Sequence, residues 1–300
     1  MSTHNRQLIV VADDYGIGPE VSRGILDLLR HGTVTGTVLL ANAPHVETAM
    51  REWKNVGRPG EIGWHPNLTM DDPVAPLDQV RTLISREGKL ISLGTLMGRL
   101  ASGRLAYADL VRELDAQYGR CHDLIGGPPA LVNGHKHVHV FPMVNRALVE
   151  VLKRWRVRPY IRRVMEPFSS WRKVPGARMK RLFLTTLGRL ATRRFDREGF
   201  PGNETLAGVT DPKWVNDPQF YARWLARIPG RVVELMVHPG YRDSTLIGRD
   251  CSATDGQMDR RVAELNMLMH PEFRTACAST GFTLETASGL AKEKDSRHAA

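Results

Sequence analysis

The stretch "QLIVVADDYGIGPEVSRGILDLLRHG", residues 7–32, decides the fold, because an apolar, β-rich run passes directly into a helical pattern. The same order recurs along the chain, where strand-like runs such as "EIGW" and "VVELMV" alternate with helical runs such as "ADLVRELDAQYGRCHDLIG". Strands that alternate with helices of this length are typical of βα units around a mainly parallel sheet. We therefore predict an α/β fold, a distorted (β/α) TIM-like barrel that carries a basic helical insertion.

The length of the chain, 300 residues, suits one α/β barrel or two smaller domains. The alternation of strands and helices shows no internal repeat, and it breaks only between about residues 155 and 230. We predict a single (β/α)-barrel domain over residues 1–290, with the basic helical insertion at about residues 165–205. Residues 291–300, "AKEKDSRHAA", have the composition of a disordered tail.

The composition is that of an ordinary globular protein, with 42% hydrophobic and 25% charged residues. The first residues, "MSTHNRQLIVVADDYG", do not resemble a secretory signal, and no apolar run reaches about 18 residues. The cysteines Cys121, Cys251 and Cys277 are odd in number and form no C-x-x-C pattern. These features predict a cytoplasmic protein with reduced thiols and no transmembrane helix.

Much of the net charge of +10 lies in one segment, because Lys153–Arg197 holds 15 Lys or Arg residues against Glu166 and Asp196. Within this segment, apolar residues follow helical spacing at Met179, Leu182, Phe183, Leu187, Leu190 and Ala191. The remainder of that helix is basic, with Lys180, Arg181, Arg189, Arg193 and Arg194. Four interpretations stay open: a solvated face, a cap on the barrel core, contact with phosphate or nucleic acid, and contact with an anionic membrane surface through residues 172–197.

Acidic residues and histidines follow four of the predicted strands. Asp13 and Asp14 follow "QLIVVA", and the other three are His65, His135 and His238. Functional groups of α/β proteins collect at the carboxyl ends of parallel strands, so we expect these side chains to share one rim. For Asp13 and Asp14 alone, capping of the following helix is the structural alternative.

Two histidines and one carboxylate suit a divalent metal ion with open coordination positions, and Asp14, His65 and His135 supply that set. Asp13 is then free to take a proton from an attacking water, and His238 is placed to protonate a leaving amine.

The stretch "NGHKHVHVFP", residues 133–142, places histidines at every second position. In an extended strand His135, His137 and His139 would share one face, but the outer two would lie about 13 Å apart. One ion cannot bind all three at metal–nitrogen distances of about 2.0–2.1 Å unless the strand bends. One histidine or an adjacent pair is therefore the expected ligand, and a polar strand end with solvated histidines is the alternative.

Five motifs together resemble the YdjC-like carbohydrate deacetylases, also called the ChbG/HpnK family. They are "ADDYG", "GWHPNLT", "NGHKHVHVFP", "ELMVHPGY" and "RRVAELNML", and they follow the order of the family from residue 6 to about residue 286. The chain departs from the family at Asn133 and Gly134, where the family usually has Asp-Ser.

The resemblance implies a distorted barrel with one divalent metal ion, zinc or magnesium in the first place, held by Asp14, His65 and His135. The choice of His135 over His137 comes from the family. Asp13 would be the general base, and His238 the acid or an acetate-site residue. The resemblance also suggests six residues that contact the substrate or support the ligands: Tyr15, Asn67, His137, His139, Arg261 and Glu264.

The function implied by the resemblance is hydrolysis of the N-acetyl amide of an N-acetylglucosamine-type sugar. The basic segment at about 172–205 is similar to the branch of the family associated with hopanoid lipids. We therefore expect a lipid-linked substrate and an enzyme held peripherally at the inner membrane face. A soluble chitooligosaccharide such as diacetylchitobiose is the alternative substrate. The oligomeric state stays open, a homodimer included.

A nucleic-acid-binding protein with a vestigial metal site is a third hypothesis, which the basic segment suggests. It is disfavoured because that segment holds few aromatic residues for base stacking and because it leaves the Asp and His rim unexplained. No nucleic-acid partner is expected.

Overall fold

A parallel sheet forms the centre of the computed structural model, which describes residues 6–217 and 219–290. The strand order is β5-β4-β3-β2-β1-β7-β6, and β8 pairs with the beginning of β1. The predicted tail at 291–300 lies outside the described residues. The strands are β1 Arg6–Tyr15, β2 Gly36–Leu39, β3 Glu61–Trp64, β4 Leu131–Val132, β5 Tyr160–Ile161, β6 Thr205–Ala207, β7 Val232–Val237 and β8 Phe282–Leu284.

Helices connect most of the strands and cover the outside of the sheet. Within residues 6–217 and 219–290, none of them is both long enough and apolar enough to cross a lipid bilayer. Short 3₁₀ turns occur at Leu77–Gln79, His135–Val140 and Ser244–Leu246. The α-helices are α1 Pro19–His31, α2 Val46–Asn55, α3 Leu93–Ala101, α4 Tyr107–Ile125, α5 Pro142–Arg154, α6 Phe168–Lys173, α7 Arg178–Arg197, α8 Pro212–Val215, α9 Phe220–Leu225, α10 Gln257–Met269 and α11 Pro271–Ser279.

The first strand, β1, is buried on both faces, as its apolar run predicts. Leu8, Val10 and Ala12 belong to the large core that the helices share. Ile9 and Val11 belong to a smaller cluster formed largely by other strands. Alternation along the strand therefore points Ile9, Val11 and Asp13 into the interior of the curled sheet.

The two outer strands, β5 and β6, come close to closing the sheet into a barrel. The amide of Leu206 donates to the carbonyl of Met165 at 2.8 Å. The side chain of Asn203 accepts from the amide of Arg163 at 2.7 Å and donates to its carbonyl at 2.9 Å. The side chain of Asn203 thereby takes the place of backbone hydrogen bonds between β5 and β6. The predicted α/β fold with a distorted barrel is confirmed.

The basic stretch between β5 and β6 folds into α6 and α7. Helix α7 buries Leu184, Gly188 and Phe195 against the barrel. Arg181, one of the basic residues predicted for this helix, is also buried and pairs with Glu166, with 2.6 Å between Nε and Oε2. Burial of that guanidinium is tolerated because an ion pair compensates for the lost hydration.

The apolar stripe predicted for α7 divides between two faces of the helix. Ala191 packs inward, whereas Met179, Leu182, Phe183 and Leu190 remain exposed. The helix therefore has more apolar surface than the barrel covers.

Gly188→Ala should lower the free energy of unfolding by about 1–3 kcal/mol, because an added Cβ would lie 1.8 Å from the carbonyl oxygen of Val164. Urea denaturation measures this difference. The matched control is Gly98→Ala in α3, where a Cβ meets nothing within 4 Å. That change should be neutral or stabilise by up to about 1 kcal/mol. Equal effects of the two substitutions would contradict the tight packing of α7.

Candidate active site

One cleft of about 210 Å³ lies at the carboxyl ends of the strands and brings together the predicted rim residues. Asp13 and Asp14 come from the end of β1, His65 follows β3, His135 follows β4, and His238 follows β7. In a regular strand the two aspartates would point to opposite faces. Asp14 instead has a φ of 74°, and the pairing with β2 shifts register between Ala12 and Tyr15. This local irregularity lets both carboxylates line the cleft.

Asp14, His65 and His135 are buried, and each offers one ligand atom within 4.8 Å of the other two. Oδ1 of Asp14 lies 3.4 Å from Nε2 of His65 and 3.0 Å from Nδ1 of His135. The other ring nitrogen of His65, Nδ1, donates to the carbonyl of Asn133 at 2.7 Å, which leaves Nε2 free as an acceptor. A buried carboxylate beside two imidazoles is a donor set that fits a divalent metal ion.

Arg261 neutralises part of the negative charge at this cluster. Its Nη2 donates to Oδ2 of Asp14 at 2.7 Å, so the two oxygens of that carboxylate have different partners. Burial alone would raise the pKa of Asp14, but Arg261 and the hydrogen bond from His135 hold it well below its usual range. Asp14 therefore remains a carboxylate.

Arg162, which follows β5, holds the carboxylate of Asp13 with two hydrogen bonds of 2.7 and 2.8 Å. Nε of the same buried guanidinium donates to Glu234 of β7, and Glu234 also accepts from the hydroxyl of Tyr160 at 2.9 Å. Burial would raise the pKa of Asp13, but Arg162 lowers it below its ordinary value. Asn133 adds a donor 3.3 Å from Oδ1 of Asp13.

His238 lies beside Asp13, with Nε2 3.9 Å from Oδ2. Its backbone amide donates to Glu264, which also accepts from Tyr221 at 2.7 Å and from Arg260 at 2.8 Å. Desolvation of the ring and the nearby charge of Arg260 lower the pKa of His238. The imidazole is therefore neutral at neutral pH, and Glu264 positions the backbone that carries it.

The histidine triplet does not form the extended strand considered above. Strand β4 ends at Val132, and residues His135–Val140 form a 3₁₀ turn in which Lys136 and His137 have φ values of 51° and 58°. These left-handed conformations break the strand alternation and send the three rings in different directions.

The triplet therefore has three separate contacts. His135 faces Asp14, His137 lines the cleft with a buried Nδ1 that has no hydrogen-bond partner among the described residues, and His139 braces the loop. Nδ1 of His139 accepts from the amide of Gly134 at 2.9 Å, and Nε2 faces the carbonyl of Arg162 at 3.3 Å.

Tyr15 and Asn67 lie outside the cleft lining. The hydroxyl of Tyr15 donates to the carbonyl of Ala49 at 2.7 Å, and Asn67 donates to the carbonyl of Met70 at 2.8 Å. Both side chains are buried and support the loops from which the ligands project.

Sequence reasoning missed Arg162, Glu234 and Asp250 as site residues. A charge inside the apolar run "VVELMV" was an available signal, because Glu234 cannot be buried there without a partner. Arg162 also follows a strand, as the predicted site residues do, but it was counted only among the basic residues. No local pattern marks Asp250.

The cleft also receives Lys180 from α7, next to Lys136. The basic helix therefore borders the mouth of the site.

Comparison with known proteins identifies the family and the fold of the chain. The sequence profile of the YdjC-like proteins matches residues 7–279. The chain belongs to the YdjC-like protein family. A relative from Mus musculus, named carbohydrate deacetylase, is 32% identical over 295 residues, covering 93% of each chain. A chitooligosaccharide deacetylase from Proteus mirabilis (strain HI4320) is 29% identical, covering 94% of this chain and 98% of its own length.

The YdjC-like chain also shares its fold with a solved structure from Enterococcus faecalis V583, whose proposed role is cleavage of cellobiose phosphate. The TM-score is 0.73 at 20% identity, with 95% of this chain and 99% of the other covered. The agreement extends over the whole barrel, so the α/β architecture is that of a known fold.

Arg162→Met should lower the free energy of unfolding by about 3–5 kcal/mol at pH 8, because Asp13 and Glu234 stay buried without their cation. The loss should shrink toward pH 5. Without the guanidinium, both buried carboxyl groups have raised pKa values in the folded variant. As the pH falls, the folded state therefore takes up protons before the unfolded state does. Urea denaturation at the two pH values measures this.

The control for this substitution is Arg189→Met on the exposed side of α7, which should change stability by no more than about 0.5 kcal/mol at either pH. A loss at Arg162 that is constant or larger at pH 5 would show that the buried carboxylates do not depend on this guanidinium.

Proposed function

We propose that this protein is a metal-dependent hydrolase that removes the N-acetyl group from an N-acetylglucosamine-type sugar. The observation that carries the proposal is the buried group of Asp14, His65 and His135 in one cleft with Asp13 and His238. Two deacetylase relatives that cover more than nine-tenths of the chain support the choice of reaction.

Three donors would hold the ion: Oδ1 of Asp14, Nε2 of His65 and Nδ1 of His135. A bound divalent ion would polarise the amide carbonyl and acidify a water molecule. Imidazole suits zinc, whereas magnesium prefers oxygen ligands, so this donor set favours zinc over magnesium.

Asp13 is the proposed general base for the attacking water. Arg162 fixes the direction of its carboxylate, and the lowered pKa keeps it ionised over the working pH range. Water adds to the amide carbon, Asp13 accepts the proton, the carbon–nitrogen bond breaks, and the amine and acetate leave.

His238 is the proposed donor to the leaving amine. Because its ring is neutral before the reaction, the proton it delivers has to be the one released by the water. Asp13 takes that proton first and passes it to His238, whose Nε2 lies 3.9 Å from Oδ2 of Asp13, a gap that a small movement of the ring closes.

Two polar groups at the cleft wall remain for the sugar itself. Nη1 of Arg261 and Nδ1 of His137 are buried and have no hydrogen-bond partner among the described residues. Leaving such atoms without a partner is costly, so a polar ligand is the natural partner for them.

Asp13→Asn should keep zinc at the wild-type level and lose acetate release by about 10²–10⁴-fold, because it removes the base but no ligand. His65→Ala should lose the bound metal. The measurements are zinc content after dialysis and acetate release from N-acetylated sugars.

His31→Ala, at the exposed end of α1, is the control and should retain both properties. Wild-type zinc occupancy in His65→Ala would overturn the ligand assignment. Undiminished acetate release by Asp13→Asn would overturn the proposed base.

A lipid-linked substrate and a position at an anionic membrane face form the second part of the proposal, and the exposed surface of α6 and α7 favours it. Of the ten large apolar side chains exposed within the described residues, five lie here, namely Phe168, Met179, Leu182, Phe183 and Leu190. Arg178, Lys180, Arg189 and Arg193 accompany them. Apolar side chains mixed with basic ones suit the interface of an anionic bilayer. Lys180 links this surface to the cleft mouth.

Met179→Gln combined with Phe183→Gln should weaken binding to phosphatidylglycerol vesicles by about tenfold or more, because two exposed apolar side chains no longer enter the interface. Sedimentation with vesicles measures binding, and high salt should release the wild-type protein.

The control pair for the vesicle experiment is Leu77→Gln with Met97→Gln, which are exposed elsewhere on the surface and should leave binding unchanged. Binding that is unaffected by salt and by both double variants would remove the membrane part of the proposal. Faster acetate release from diacetylchitobiose than from an N-acetylglucosaminyl lipid would favour the soluble substrate.

A further inference from the structure

Asp250 lines the same cleft as the three proposed ligands, although none of the sequence motifs contains it. It belongs to the loop between β7 and α10, and 12% of its side chain is exposed. Its carboxylate approaches two members of the site. Oδ2 accepts from Nη2 of Arg261 at 3.1 Å, and Oδ1 lies 3.7 Å from Nε2 of His135.

The two ring nitrogens of His135 face different carboxylates, Asp14 and Asp250. Nδ1 faces Asp14 at 3.0 Å. Nε2 is buried and has no hydrogen-bond partner within the described residues. Asp250 is the carboxylate that this nitrogen approaches, so a slight rotation of the ring would complete a hydrogen bond from Nε2–H to Oδ1.

Arg261 connects Asp250 to a second ligand. Nη2 of its guanidinium donates both to Asp250 and to Oδ2 of Asp14, the latter at 2.7 Å. Asp250 thus contacts His135 directly and Asp14 through a shared cation. The charge of Asp250 also offsets that of Arg261, which would otherwise repel a cation at the ligand cluster.

The loop that carries Asp250 is anchored at two residues that precede it, Asp243 and Arg249. Arg249 donates to both oxygens of Asp71, at 2.6 and 2.8 Å, and to the carbonyl of Ile17 at 2.6 Å. Asp243, which is buried, accepts from the amides of Glu20 and Val21 at the start of α1. A carboxylate on a loop held in this way keeps its place relative to the ligands.

We propose that Asp250 is a positioning residue for the metal centre. It holds His135 in the tautomer that presents Nδ1 to the ion, and it directs Asp14 through Arg261. Carboxylates that accept from the second nitrogen of a ligating histidine fix its tautomer and orientation, and their loss typically weakens metal binding by about 10- to 100-fold. This inference rests on the proposed metal site.

The test is the zinc affinity of the full-length protein, measured by competition with a chromophoric chelator and without substrate. Asp250→Ala should bind zinc about 10- to 100-fold more weakly than wild type. Asp250→Asn, which preserves the side-chain shape, should also bind more weakly. The matched control is Asp255→Ala, because Asp255 lines the same cleft but is exposed and accepts from backbone amides of its own loop.

A second measurement separates positioning from a general loss of structure. In zinc-loaded wild type, the ¹⁵N shifts of the His135 ring should show a protonated Nε2 and a ligating Nδ1. In Asp250→Ala at saturating zinc, this pattern should be lost or mixed while the thermal unfolding of the metal-free protein stays close to wild type.

Wild-type zinc affinity in both Asp250 variants would overturn the proposal, as would an equal loss of affinity in Asp255→Ala. Neither result depends on acetate release. If wild type binds zinc tightly through His135 but hydrolyses no N-acetyl sugar, the proposed function fails while the role of Asp250 is still decided by the affinity series.

Discussion

The buried guanidinium of Arg162 between Asp13 and Glu234 is the interaction on which the rest of the site depends. These three residues follow or belong to β5, β1 and β7, and β5 neighbours neither of the other two strands in the sheet. The contact therefore crosses the interior of the curled sheet. Two carboxylates inside a barrel would be strongly unfavourable alone, and one bidentate cation makes their burial acceptable. The same contact aims Asp13 into the cleft.

In and around the cleft, buried carboxylates are paired with three arginines. Asp13 and Glu234 share Arg162, Asp14 and Asp250 share Arg261, and Glu264 holds Arg260 while it accepts from the backbone of His238. Arg162 and Arg261 each pair with acidic groups from two different elements, so these ion pairs tie together parts of the chain that the sheet alone does not connect. Among the described residues, Nδ1 of His137 and Nη1 of Arg261 have no hydrogen-bond partner, and both residues line the cleft.

Helix α7 contacts both the barrel core and the cleft. Its inner face seals the barrel through Gly188 and Leu184, whereas Lys180 reaches the cleft and Phe183 stays exposed. Periodicity in the sequence identified the helix and its apolar residues. It could not say which of them would be covered, because a helix with apolar residues on two sides has no single inward direction until it packs.

The sequence alone determined the alternation of strands and helices, and with it the parallel sheet and the rim that collects Asp13, Asp14, His65, His135 and His238. These features depend on local periodicity and on the rule that parallel strands end at one edge. Only the tertiary structure decided which groups hold those side chains. Asp13 and Arg162 are 149 positions apart, and Asp14 and Arg261 are 247 apart. No local pattern encodes such a pairing, because it forms only when the curled sheet brings its strand ends together. The turn at Lys136 and His137 shows the same limit, since alternating histidines are compatible with a strand, whereas the chain there adopts left-handed φ values and a 3₁₀ turn.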